Sequence, residues 1–80
     1  MIAVIRAYIL GKVNPNSERK VLDKLKKISG VKSANITFGS YDLVVRVEAT
    51  DEIKLKNIVI DEIRKIPEIT KTLTLIVQKV

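Results

Sequence analysis

The stretch "VKSANITFGSYDLVVRVEA", residues 31–49, decides the fold. Two runs rich in β-branched and aliphatic residues flank Gly39-Ser40, and a glycine between such runs marks the reversal of a β-hairpin. The pattern predicts a strand over about 31–38, a tight turn at Gly39 and a second strand over about 41–49. The hairpin requires the glycine. It has no need of the Tyr41-Asp42 pair that leaves the turn, so these residues are candidates for a role beyond folding.

Upstream, "IAVIRAYILGKV" (2–13) is β-branched and apolar and predicts a first strand. "NPNSERK" (14–20) then turns the chain, with Asn16 or Ser17 able to cap a helix over about 17–29. Val21, Leu22, Leu25 and Ile28 share one face of that helix, and Gly30 follows where a left-handed residue ends it. Downstream, Thr50 or Asp51 caps a second helix, with Glu52 at the positive end of its dipole. Leu55, Val59, Ile63 and Ile66 line one side, and Pro67 stops it. "ITKTLTLIV" (69–77) alternates threonine with aliphatic residues and reads as a fourth strand.

The order β-α-β-β-α-β predicts an α+β, ferredoxin-like fold: a four-stranded antiparallel sheet with two helices on one face. No linker interrupts residues 1–80, so one domain is expected. Strand parity places Ile5, Ala7, Ile9, Ala34, Ile36, Leu43, Val45, Val47, Leu73, Leu75 and Val77 toward the helices. The opposite face then holds Val4, Tyr8, Leu10, Val44 and Ile76 among Arg6, Arg46, Glu48, Ser33, Asn35, Thr37, Thr72 and Thr74. A wet face would alternate more sharply than this. The mixture suits a protein interface, and the sheet is expected to pack on a second copy of itself.

Composition excludes much. The chain has 80 residues with neither Cys nor His, so disulfides, thiol catalysis and cysteine- or histidine-based metal sites are ruled out. There is no phosphate loop and no nucleophile elbow. Asp51-Glu52 and Asp61-Glu62 are adjacent acids, which do not face each other on a helix. Neither an enzyme nor a cofactor is expected. Apolar runs are too short to span a membrane and "MIAVIRAYIL" lacks the basic start of a signal peptide, so a cytoplasmic location is expected.

The net charge is +6, and residues 1–40 carry eight Lys/Arg against two acids, whereas residues 41–80 carry seven of each. Five of those eight lie on "SERKVLDKLKKI" (17–28). A nucleic-acid-binding module using this basic first helix is the alternative reading. Against it, the central strands offer Tyr8 without a companion aromatic, and lysines on a helix commonly shield a small core.

The whole chain resembles the effector-binding domain of the leucine-responsive regulatory protein/AsnC family. "AYILGKV", "LDKLKKISGVKSANITFGSYDLVVRVEA" and "ITKTLTLIV" carry the likeness, including the Gly-x-Tyr-Asp turn at 39–42 and the Thr-rich last strand. Family members usually carry an N-terminal helix-turn-helix, whereas this sequence begins at the first strand, so it resembles the stand-alone form called a RAM domain. "KIPEIT" (65–70) departs from the family, which more often has Gly-Val before the last strand. The resemblance implies dimers packed sheet to sheet, assembly to an octamer or similar ring, and a small-molecule effector, typically an amino acid, bound between dimers near the hairpin turn. It also implies association with a full-length regulator, and no sequence-specific DNA binding by this chain itself.

The residues allow such a site at Gly39, Ser40, Tyr41 and Asp42. Glycine permits close backbone approach, exposed turn amides receive a carboxylate, Asp42 pairs with an ammonium group, and Tyr41 gives an apolar wall with a polar tip. The plainer reading is that Gly39 only turns the chain, Tyr41 packs on a neighbouring subunit and Asp42 bonds local backbone.

Overall fold

β1 (Ile5–Val13) and β3 (Leu43–Ala49) occupy the middle of the sheet in the computed structural model, which describes residues 3–78. β2 (Val31–Ile36) and β4 (Ile69–Ile76) form the edges, giving the order β2-β3-β1-β4 with every pairing antiparallel. Ile2, assigned to the first strand from sequence, lies outside the described residues. The expected β-α-β-β-α-β arrangement is therefore present, with the two most buried strands at its centre.

α1 spans Glu18–Lys26. Asn16 enters it with φ 67, a left-handed geometry that Asn tolerates, while the Ser17 side chain makes no capping bond. The helix stops earlier than 29 because the N–H groups of Lys27 and Ile28 bond three residues back, to Lys24 and Leu25, tightening the last turn. Gly30 follows with φ +96, and a Cβ there would meet Ile58 Cδ1 at 2.5 Å. The positive φ favours glycine, and any side chain there would also have to displace Ile58.

α2 (Glu52–Asn57) opens on Asp51, whose carboxylate accepts from the Lys54 N–H at 2.8 Å. It continues as a π-helical segment, Ile58–Ile63, with Arg64 N–H bonding Val59 C=O five residues back. Sequence periodicity gave no sign of this segment. Buried Leu55, Val59 and Ile63 are each four residues apart. Steps of four overshoot an α-helical turn of about 3.6 residues, and a wider turn reverses that drift. Both helices bury their apolar stripes on Ala7, Ile9, Leu43, Val45 and Val47, which are fully buried. Complete burial of each of the four larger side chains, Ile9, Leu43, Val45 and Val47, contributes about 1.5–3 kcal/mol before chain entropy is counted.

The fourth strand corrects the face assignment. Val13 pairs with Ile69 but Lys12 pairs with Lys71, so Thr70 is an extra residue in the ladder. Its hydroxyl donates to the Lys12 carbonyl at 3.3 Å. Beyond this bulge Thr72, Thr74 and Ile76 lie opposite Gly11, Ile9 and Ala7, on the helix side. Leu73 and Leu75 lie opposite Leu10 and Tyr8, on the open side, and are 44% and 48% exposed. Val77, whose N–H bonds the Arg6 carbonyl, continues that side. The expected parity is thus inverted along β4, because the extra residue at Thr70 flips every side chain that follows it. Ile36 keeps its expected side, opposite Leu43, yet is 39% exposed. The open face is consequently more apolar than the sequence suggested.

Candidate functional site

The hairpin is wider than a tight turn. Thr37 N–H bonds the Asp42 carbonyl at 2.7 Å and the Thr37 hydroxyl bonds the Tyr41 carbonyl at 2.8 Å, which leaves Phe38, Gly39, Ser40 and Tyr41 as the loop. Gly39 has φ +137, and a Cβ built on it would touch nothing within 4 Å. The backbone conformation there favours glycine, and the space beside it is open. Phe38 projects fully into solvent at the tip.

Asp42 is fixed by β1. Its N–H donates to the Gly11 carbonyl at 2.9 Å, and its carboxylate Oδ2 accepts from the Val13 N–H at 3.2 Å. The half-buried carboxylate therefore closes the end of the β1–β3 ladder; the plainer sequence reading expects a bond to local backbone, whereas Val13 lies 29 residues away. Oδ1 has no protein partner among the described residues.

A shallow depression of about 420 Å³ opens between this hairpin and the start of α1, lined by Glu18, Ile36, Thr37, Phe38, Gly39 and Asp42. Two of the four residues singled out from sequence, Gly39 and Asp42, belong to it; Ser40 and Tyr41 do not. Tyr41 is half-buried. Glu18 was not singled out, being 24 residues from Asp42 and an ordinary first-turn acid by pattern. The lining carries two carboxylates, an aromatic ring and a bare turn, a set able to hold a cationic group beside an apolar one.

The basic helix is partly neutralised. Glu68, in the "KIPEIT" connection, accepts from Lys24 Nζ at 2.9 Å and pairs with Lys20 Nζ at 3.2 Å. The Lys24 hydrogen bond, against a smaller opposing effect of desolvation and with help from Lys20, lowers the Glu68 pKa to about 2. The Glu68 carbonyl also receives the Asn14 N–H at 2.9 Å, so this unusual connection clips α1 to the sheet. Among the described residues no helix is long and apolar enough to cross a membrane.

These features define a small ferredoxin-like domain with an uncovered, mixed sheet face and an acidic depression at its hairpin end. Residues 6–80 match the model of the Lrp/AsnC ligand binding domain, and the chain belongs to that family. An uncharacterized HTH-type transcriptional regulator of Pyrococcus abyssi is 34% identical over 73 residues, covering 88% of this chain and 49% of that protein. The chain thus spans about half the length of that relative. A hypothetical protein from Pyrococcus horikoshii has a crystal structure with TM-score 0.88 and 37% identity, covering 95% of this chain and 92% of that one. The fold also matches a Neisseria meningitidis transcriptional regulator solved as its L-Met complex, at TM-score 0.84 and 17% identity, over 94% of this chain and 50% of that one.

Proposed function

We propose that residues 1–80 form one sensing and oligomerisation domain that binds a small-molecule effector, with amino acids as the leading class. The ligand sits beside Gly39 and Asp42, and its binding changes self-assembly or association with a full-length regulator of the same family. Membership of the Lrp/AsnC ligand binding domain carries this reading. The open space at Gly39, the Asp42 carboxylate and the L-Met complex of the Neisseria regulator support it. Ser40 and Tyr41 contribute by meeting the ligand or a neighbouring dimer across the depression. The assembly is a dimer packed through the open sheet faces, joined into an octamer or similar ring. The chain catalyses no reaction and reads no DNA sequence by itself.

Thermal-shift screening against the twenty amino acids tests the reading. An effector should raise the melting temperature progressively, by about 2.7 kcal/mol of stabilisation at one hundred times its dissociation constant. Absence of any shift at millimolar concentrations of all twenty would overturn the amino-acid assignment.

A further inference from the structure

The open sheet face is not uniformly apolar. Tyr8, Leu10, Leu73 and Leu75 cluster on β1 and β4 with Val44 of β3 beside Leu10, whereas Arg46 and Glu48 sit further along β3 opposite Tyr8 and Arg6. Glu48 accepts from Arg6 Nε through its Oε2 oxygen at 3.0 Å. Arg46 has no carboxylate within ion-pair distance among the described residues, and its Nε is shut off from solvent without an acceptor. A half-buried guanidinium in this state loses solvation and gains no partner, and covering the face further would worsen that balance.

A two-fold interface offers a solution within the same surface. In an isologous contact residue i meets residue j and j meets i, so one pairing on the face is made twice. The face carries both an unpartnered cation and an acid, one pleat apart on β3 and pointing the same way.

We propose that Arg46 pairs with Glu48 of a second copy across the packed sheets, and that this reciprocal pair, rather than the apolar patch, selects which chain the face accepts. The proposal rests on the sheet-to-sheet dimer put forward above and names its specificity element. The leucines and Tyr8 supply non-directional burial that many apolar faces could satisfy. The Arg46–Glu48 pair rejects a face lacking an acid at the matching position, because the guanidinium would be buried unpaired.

Charge reversal tests this in sedimentation equilibrium. The wild type should dimerise, while Arg46→Glu and Glu48→Arg alone should each weaken self-association at least about a hundredfold, since like charges then meet twice. An equimolar mixture of the two variants should recover a dimer containing one copy of each, because every acid then faces a base. The double variant Arg46→Glu/Glu48→Arg should again dimerise with itself. Recovery in the mixture also shows that both variants fold. Wild-type dimers that persist unchanged in both single variants would overturn the pairing and leave the dimer standing. A mixture that stays monomeric although each variant gives a wild-type circular dichroism melt would overturn the pairing as well. A monomeric wild type at micromolar concentration would overturn the underlying dimer.

Discussion

The backbone N–H of Val13 donates to the Asp42 carboxylate at 3.2 Å, so the acid beside the turn also closes the ladder that carries the hairpin. Two substitutions separate its duties. Asp42→Asn keeps an acceptor oxygen and should change unfolding stability by less than about 1 kcal/mol, whereas Asp42→Ala leaves Val13 N–H unpaired and should cost about 1–3 kcal/mol. Urea unfolding of the two variants checks this. Equal losses would show that charge, not the acceptor, holds β1.

Glu68 provides a pH signature. Its pKa is lowered from 4.5 to about 2, chiefly by Lys24. A carboxyl lowered on folding adds stability that is fully present above 4.5 and is lost as pH falls from there toward 2. Glu68→Gln should therefore be less stable than wild type at pH 6, and the gap should close as pH approaches 2. Paired urea titrations at several pH values measure it. A gap that persists at the acid limit would mean that Glu68 acts through packing.

The bulge at Thr70 predicts a contrast between neighbours on β4. Leu75→Glu, like Val44→Glu, places a charge on the open face and should dissociate the proposed dimer. Thr74→Glu, pointing to the helix side, should leave it intact. Sedimentation of the three variants decides, and dissociation by Thr74→Glu would restore the parity read from sequence.

DNA retention should be weak and collapse steeply with salt, since phosphate contacts alone would carry it. Lys20 and Lys24, two of the basic residues of α1, are already engaged by Glu68. Gel-shift titration from low to physiological salt tests this. Tight, sequence-selective binding at physiological salt would favour the basic-helix reading.

Element order, the Asp51 cap and the central strands were legible because each rests on local chemistry or a simple period, whereas the end of α1 came at Lys26, four residues before Gly30. The phase of β4 was not, because one inserted residue at Thr70 flips every later side chain while leaving the Thr-aliphatic alternation unchanged. The π-helical segment 58–63 was hidden because it buries the same stripe an α-helix would. At the candidate site Gly39 could be read from its turn. The Asp42–Val13 bond and the approach of Glu18 join residues far apart in sequence, and only the folded chain brings them together.

A small molecule held at Gly39–Asp42 is proposed to control assembly. Sedimentation velocity of wild type and Asp42→Asn, each titrated with the amino acid giving the largest thermal shift, measures this control. The ligand should change the oligomer distribution of the wild type, and Asp42→Asn should need at least about tenfold more ligand for the same change, having lost one charge-assisted contact. An identical response in both proteins would remove Asp42 from the site, and binding with no change in assembly would rule out ligand-controlled assembly.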